Sequence, residues 1–291
     1  MALKKKMTWF DILNILFMLF IIFITLYPIY YVVIASFSDP GALSRTTGVL
    51  WLPLKPYTTE AYEMVLGDEM ILIGFKNTLY VLVVGLIVNI SMTVVGGYFL
   101  SLKGLMVQTP IVMMIIFTMY FSGGLVPGYL NVKDLGLLNS LWALILPGAI
   151  STTNLIIMKS AFCAMPDSLV ESARLDGASH LQILIKIMVP LSKATVAVLV
   201  LYYGVSHWNA WFNASIYLRD TELYPLQLIM RNILNSSVGA MAQDVAADEF
   251  SQYVELIKYA LIVVTTAPIL VLYPFLQKYF VKGVMIGAIK G

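Results

Sequence analysis

The sequence predicts an all-α integral membrane protein with six transmembrane helices. Hydrophobic residues make up 60% of the 291 positions and charged residues only 12%, whereas a soluble domain is about half apolar and a quarter charged. Long apolar runs recur along the chain, and a helix needs about 20 apolar residues to cross a bilayer. The runs lie at 9–37, 71–102, 106–128, 137–163, 189–218 and 254–281.

The first run follows a basic start, Met1 to Lys6, as the apolar region of a signal peptide would. A signal's apolar region has about 7–15 residues and ends at a cleavage site flanked by small residues. Here the run continues to Phe37, and no clear cleavage site follows it. We therefore expect a retained first spanning helix.

Lysine and arginine placement predicts the orientation, because cytoplasmic loops are enriched in both. If the N-terminus is cytoplasmic, eleven Lys and Arg residues and four acidic residues lie inside. Seven Lys and Arg residues and twelve acidic residues then lie outside. Six spans with both termini in the cytoplasm fit this distribution. Two long segments, 38–70 and 219–253, then lie outside. Such segments either contact a partner or are solvated connections.

The inside loop between the fourth and fifth runs, 164–190, has strong local signals. Ser168 followed by Glu171 is a capping-box pattern, and so is Ser179 followed by Gln182. Asp176-Gly177 between them is a turn signal. The loop is predicted to form a short helix, a sharp turn and a second helix towards the membrane. A two-turn helix is too short to be stable alone, so we expect something to pack on it.

The residues of this loop resemble a known motif. Glu171-Ser172-Ala173 and Asp176-Gly177-Ala178 are separated by two residues, and Ile187 to Pro190 follow eight residues later. The pattern resembles the EAA loop in permease subunits of bacterial ATP-binding cassette (ABC) importers. Ser172 stands where that family has alanine, and both residues are small.

The resemblance implies a type I ABC importer permease (MetI-like) core with a cytoplasmic coupling helix. In that family the helix docks on an ATPase subunit, Glu171 would face a basic residue of the ATPase, and Gly177 would allow the turn. The alternative for Glu171 is that it only closes a capping box with Ser168. The implied ATPase-coupling residues are Glu171, Ser172, Ala173, Asp176, Gly177, Ala178 and Pro190.

The chain end, 278–291, and the Trp208-Asn209 pair followed by Trp211 resemble the carbohydrate branch, in particular its maltose-type second permease subunit and complex-oligosaccharide permeases. The resemblance implies that Lys290 and Gly291 lie in a tail, 283–291, that contacts the ATPase. It implies a core at 71–282, after an N-terminal helix and external loop at 1–70. The external loop 219–253 would contact a solute-binding protein and help to release its sugar.

The chain has no Gly-x-x-x-x-Gly-Lys-Ser/Thr phosphate loop, so ATP and Mg²⁺ are expected on a separate ATPase and no enzyme activity or cofactor is predicted here. The single cysteine, Cys163, and the distant His180 and His207 predict no metal site. No basic stripe suggests nucleic acid. The implied partners are a homologous second permease subunit, two ATPase copies, an extracytoplasmic solute-binding protein and an oligosaccharide, in a bacterial cell membrane.

Polar and aromatic residues inside the runs are candidates for a substrate path, since intramembrane polar groups face a bundle interior or cavity. They also serve helix packing. Trp208, Trp211 and Phe212 could stack on a sugar or form an interfacial aromatic belt. The predicted path residues are Tyr203, Trp208, Asn209 and Asn213, with Asn77, Asn89, Ser91, Tyr120, Asn154 and Ser206 as further candidates.

Three alternatives compete with a sugar importer driven by ATP. An ion-gradient-driven secondary transporter predicts charged residues within spans and often an internal repeat, neither of which is clear in the sequence. An ABC permease for a non-sugar solute would share the loop. A non-transporting membrane scaffold gives no reason for it.

Overall fold

The computed structural model describes residues 8–46, 48–104, 108–241 and 256–271, and the regular elements of these residues are all helical. The chain divides into two compact units. Unit 1 comprises 1–68 and 232–267, and unit 2 comprises 69–231 and 268–291.

Unit 1 begins with a long apolar helix whose start is fixed locally. The side chains and backbone of Thr8 and Asp11 form a reciprocal capping box. The apolar side chains of this helix are mostly exposed, as expected for a helix in lipid. The chain after it returns to the helix, where the backbone N–H of Leu50 donates to the Tyr27 hydroxyl at 2.9 Å. The unit contains α1 (Trp9–Ala35), α2 (Pro40–Arg45) and α3 (Glu60–Gly67).

Unit 2 is built around α4, which has 33 residues and is about 50 Å long. Between the helices, short 3₁₀ turns lie at Leu141–Leu144 and Thr221–Leu223, and a π turn lies at Leu184–Met188. The helices of the unit are α4 (Glu69–Ser101), α5 (Gln108–Tyr120), α6 (Leu125–Asp134), α7 (Thr152–Cys163), α8 (Asp167–Leu175), α9 (His180–Ile183), α10 (Val189–Leu191), α11 (Lys193–Trp208) and α12 (Phe212–Tyr217), and the chain continues into α13 (Leu226–Met241) and α14 (Leu256–Val271).

Three of the predicted runs are not single helices. The run 106–128 bends by 117° between α5 and α6. The run 189–218 bends by 84° at the start of α11, and α11 ends at Trp208. The run 137–163 is helical only in α7, apart from one short turn. These boundaries correct the sequence prediction, which took apolar length as a measure of helix length.

Within the described residues, two helices, α1 and α4, are long and apolar enough to cross a membrane by themselves, and each bent pair adds one more if it is counted as a span. The described part of the sixth run, α14, has the apolar character but only 16 residues. The count of six spans therefore stays a prediction.

Two apolar clusters pack on different halves of α4. The far cluster lies along Val81 and Val88 and includes the buried Leu144 and Tyr217. The loop cluster lies along Val94 and Tyr98, and its other buried members are Met158, Phe162, Ala173, Ile183, Leu184, Met188 and Leu199. One end of α4 therefore supports the turns before α13, and the other supports the 164–190 loop.

Candidate functional site

Helix α8 is the first helix of the 164–190 loop, and it begins two residues earlier than the capping-box pattern predicted. Pro166 occupies the cap position, with φ −61° and ψ 129°, and no side chain caps the helix. Ser168 and Glu171 lie inside the helix, so the predicted capping box between them is wrong. The fixed φ of proline suits the cap position at the start of a helix. The helix therefore starts after Pro166 and ahead of Ser168. Capping is therefore not the role of Glu171.

The turn after α8 is a complete Schellman motif. Gly177 has φ +78°, a conformation that glycine adopts without steric cost. The N–H of Ala178 donates to Ala173 O at 2.9 Å, and that of Gly177 to Arg174 O at 3.0 Å. The sharp turn predicted at Asp176-Gly177 is therefore confirmed.

The second helix starts at the predicted capping box. The Ser179 N–H donates to Gln182 Oε1 at 2.8 Å, and the Gln182 N–H donates to Ser179 Oγ at 3.3 Å. A π turn follows α9, in which the Val189 N–H donates to Leu184 O. Pro190 cannot donate to the carbonyl four residues before it. The chain then bends into α11.

The inner side of the loop is fastened to α4 and α7. Ala173 of α8 and Ile183 after the turn are buried in the loop cluster. The Tyr98 hydroxyl lies 3.0 Å from His180 Nδ1, and the Tyr98 ring stands edge-on to Phe162 at 6.3 Å. Packed side chains therefore join α8 and the turn after it to α4 and α7.

A small crevice of about 170 Å³ lies between α8 and the end of α4, lined in part by Glu171, Arg174 and Lys103. The Lys103 ammonium pairs with the Asp167 carboxylate at the start of α8. The hydrogen bond from this pairing, and then the charge of Asp167, raise the pKa of Lys103. Both side chains are exposed, so solvent screens the pair.

The opposite side of α8 is uncovered. The Leu175 side chain, which lies nearly opposite Ala173 around the helix, is 89% exposed. Ser172 and Asp176 are exposed as well. The predicted coupling residues therefore divide into two groups: Ala173, Gly177, Ala178 and Pro190 shape the loop, while Glu171, Ser172 and Asp176 are open to a partner.

The centre of unit 2 contains a buried polar network. Asn89 of α4 donates from Nδ2 to the carbonyls of Gly148 and Ala149, each at 2.9 Å. Its Oδ1 lies 2.7 Å from Nε2 of His207 on α11. Gly85 allows this approach, because a Cβ there would lie 2.5 Å from His207 Nε2.

Tyr203 holds the same irregular segment from the other side. Its hydroxyl accepts a hydrogen bond from the Ser151 N–H at 2.9 Å and lies 2.7 Å from the Thr93 hydroxyl. Ser151 is the N-cap of α7, so its own side chain then accepts from the Asn154 N–H. The backbone that breaks the fourth apolar run is thus paired with side chains instead of water, as a bilayer requires.

An open cleft of about 390 Å³ adjoins this network. Two of the four predicted path residues, Tyr203 and Asn213, line it together with Asn154 and Ser206. Trp208 is buried edge-on against Phe75, with ring centroids 6.1 Å apart. Asn209 donates to Val205 O of its own helix. Trp208 and Asn209 are thus outside the cleft.

His207 also lines the cleft, and it was not among the predicted path residues. The available signal was its position: an ionisable residue inside an apolar run marks a functional site by default. The predicted tail residues Lys290 and Gly291, and the 242–253 part of the external loop, lie outside the described residues. The described residues contain no cluster of three or more His, Cys, Asp or Glu side chains suited to a metal ion.

A membrane fold that is helical in its described residues, with a packed loop at 164–190 and a central polar cleft, is the architecture of a transport permease. Residues 105–286 match the family of binding-protein-dependent transport system inner membrane components, and the chain belongs to that family. It is 38% identical to protein LplC of Bacillus subtilis over 97% of this chain and 95% of that protein.

Two further similarities concern polysaccharides. The chain is 38% identical to the polygalacturonan/rhamnogalacturonan transport system permease protein YtcP of Bacillus subtilis, over 97% of this chain and 98% of that protein. A solved bacterial ABC transporter involved in the import of the acidic polysaccharide alginate matches with a TM-score of 0.84 and 32% identity, over 93% and 96% of the two chains. The chain is accordingly a sugar-import permease subunit with a MetI-like fold, which confirms the resemblance drawn from the loop.

Proposed function

We propose that this chain couples ATP hydrolysis on a separate ATPase to the passage of an oligosaccharide through the central cleft. The observation that supports this most directly is the two-sidedness of α8. Leu175 is exposed on one side, and Ala173 is buried in the loop cluster on nearly the opposite side. A two-turn helix that leaves a leucine almost fully exposed needs a partner to be stable.

The spacing of contacts along α4 supports opposite locations for the docking loop and the far cluster. Asn77 donates to Glu222 O at 2.7 Å at one end of α4, while Tyr98 contacts His180 at the other. The 21 positions between Asn77 and Tyr98 correspond to roughly 31 Å of helix, about one hydrocarbon thickness. We assign the loop and both termini to the cytoplasm of a bacterial cell, and the 219–253 loop to the outside.

This arrangement needs partners. A homologous second permease subunit completes the channel, and two copies of a cytoplasmic ATPase carry ATP and Mg²⁺. An extracytoplasmic solute-binding protein delivers the sugar to the 219–253 loop. The 283–291 tail, with Lys290 and Gly291, contacts the ATPase. The organisation into 1–70, the core 71–282 and the tail 283–291 belongs to the same proposal.

The substrate class follows from the cleft and from the relatives. The polar groups of Tyr203, Asn213, Asn154 and Ser206 suit hydroxyl-rich ligands. The names of YtcP and of the alginate transporter concern polysaccharides, in the second case an acidic one. Acidic oligosaccharides are therefore the first substrates to test.

The test is sugar-stimulated ATP hydrolysis by the reconstituted complex. Leu175→Ala and Glu171→Ala should each lower the stimulation, Leu175→Ala by about tenfold if it is an anchor of the interface. Leu135→Ala is the matched control, because Leu135 is 64% exposed at the far end of unit 2. Unchanged stimulation in both α8 variants would refute coupling through α8. Sugar uptake by this chain without any ATPase would instead show a secondary transporter.

A further inference from the structure

Arg231 and Trp211 form a preorganised pair in unit 2. The guanidinium carbon of Arg231 lies 3.5 Å from the centroid of the Trp211 ring. Trp211 packs against the far cluster, which fixes the ring. The guanidinium is therefore held in one place although the Arg231 side chain is exposed.

The stacked arginine keeps its hydrogen-bonding capacity. Stacking uses the face of the guanidinium, whereas its five N–H donors point outward in the plane of the group. In the described parts of the chain, no carboxylate lies within 4 Å of Arg231, and the single ion pair there is that of Lys103 with Asp167. Arg231 thus presents a fork of donors that suits a planar carboxylate.

The segment that carries Trp211 adjoins the central cleft along the chain. Ala210 and Asn213 line the cleft, and Trp211 stands between them in the chain. The neighbouring Phe212 ring is 49% exposed and stands edge-on to Trp211, with centroids 5.5 Å apart. An exposed aromatic face next to a charged donor is suited to a sugar ring that carries an acidic group.

The charge of the cleft agrees with such a ligand. None of the described residues that line it is an aspartate or glutamate. A carboxylate there would repel an acidic sugar, and the cost of such a like-charge contact is large where water is scarce. An anionic ligand leaving Arg231 would therefore enter a cleft lined by amide, hydroxyl and imidazole groups.

We infer that Trp211, Phe212 and Arg231 form a recognition site, beside the segment that lines the cleft, for the carboxylate of a uronic acid unit in the transported oligosaccharide. Arg231 binds the carboxylate through paired N–H donors, and Phe212 packs on the sugar ring. This inference rests on the function proposed above, and it adds the group by which the permease itself distinguishes acidic from neutral sugars.

The experiment compares two probes that share one backbone. Trigalacturonate and its fully methyl-esterified form are supplied to the complete complex in proteoliposomes, with solute-binding protein present, and initial uptake is measured. Arg231→Gln should lower uptake of the acid by about tenfold or more, since a charge-assisted contact is lost. Uptake of the ester should stay within about twofold of that by the unmodified complex.

Two further variants sharpen the comparison. With Arg231→Lys, uptake of the acid should lie between that of the unmodified complex and that of Arg231→Gln, because lysine keeps the charge but loses the planar fork. Lys133→Gln is the matched control: it removes an exposed cation of α6 in unit 2, outside the 219–253 loop, and should change uptake of neither probe. Each variant is first shown to assemble with its partners and to unfold at the same temperature as the unmodified complex.

The outcomes separate this inference from the proposed function. If the unmodified complex carries the acid and Arg231→Gln does not reduce that uptake, the inference is overturned and the function stands. Equal loss for acid and ester would assign Arg231 to docking of the solute-binding protein and would also overturn the inference. If ATP drives uptake of neither these probes nor any neutral oligosaccharide, the proposed function fails, and the site with it.

Discussion

Nε2 of His207 lies 2.7 Å from Oδ1 of Asn89 in the buried centre of unit 2. The orientation of the Asn89 amide is fixed by its two other contacts, since Nδ2 must face the carbonyls of Gly148 and Ala149. Oδ1 can only accept, so Nε2 of His207 carries the hydrogen. One asparagine therefore joins α4, α11 and the irregular segment before α7.

Replacing Asn89 should loosen this centre. Asn89→Ala leaves two carbonyls and one imidazole N–H without their partner, and each such group costs about 1–3 kcal/mol when buried. We expect a clear fall in the thermal unfolding temperature of the detergent-solubilised complex. Asn209→Ala is the matched control, because Asn209 is exposed and bonds only within α11. Equal unfolding temperatures for the two variants would contradict the role of Asn89.

Tyr203→Phe separates a structural role of the hydroxyl from contact with substrate. The hydroxyl accepts from Ser151 N–H and contacts Thr93, so its loss should destabilise the protein by about 1–2 kcal/mol. Tyr120→Phe, at an exposed tyrosine, should change nothing. A weaker apparent affinity for sugar with unchanged stability would instead assign the hydroxyl to the ligand.

Gly177→Ala tests the Schellman motif. Alanine at φ +78° is strained by about 1–2 kcal/mol, and relief of this strain would reorient α8 relative to the second helix of the loop. We expect reduced sugar-stimulated ATPase activity with assembly retained. Gly128→Ala is the control, since Gly128 lies in α6 with ordinary φ and open space around it. If both variants couple normally, the turn geometry does not matter for coupling.

The Lys103–Asp167 pair should have a small effect on stability and a defined pH dependence. The pairing raises the pKa of Lys103 in the folded state, so its stabilisation is present below the ordinary lysine pKa and disappears as pH rises through the raised value. Asp167→Asn should abolish this loss of stability at alkaline pH. The measurement is the unfolding temperature at a series of pH values at low salt. The double variant Lys103→Asp with Asp167→Lys restores an ion pair, so it should again lose stability at alkaline pH. If each side chain acted only on its own surroundings, the double variant would not show this loss.

The loop shows how far sequence reasoning extends. The turn at Gly177 and the capping box of Ser179 with Gln182 were predictable because each is made by residues within five positions of each other. The helix start was not predicted correctly, because Pro166 and not Ser168 occupies the cap position. Which loop residues would be buried depended on α4 and α7, far away in sequence.

The central cleft was predictable only in part. Polar residues inside apolar runs marked Tyr203 and Asn213, but the same signal marked Asn209, which bonds within its own helix. Composition gives the residue type, whereas the direction of each side chain depends on helix packing. His207 was missed for the same reason.

The sequence by itself determined that the chain is a membrane protein and that the 164–190 loop turns sharply at Gly177, because hydropathy and turn signals act over short stretches of chain. Only the tertiary structure decided where the apolar runs break. The segment before α7 is stable without helical hydrogen bonds because Asn89 and Tyr203, more than 50 positions away, satisfy its backbone groups. In a bilayer no water can do this, so the breaks exist only where packing brings such partners.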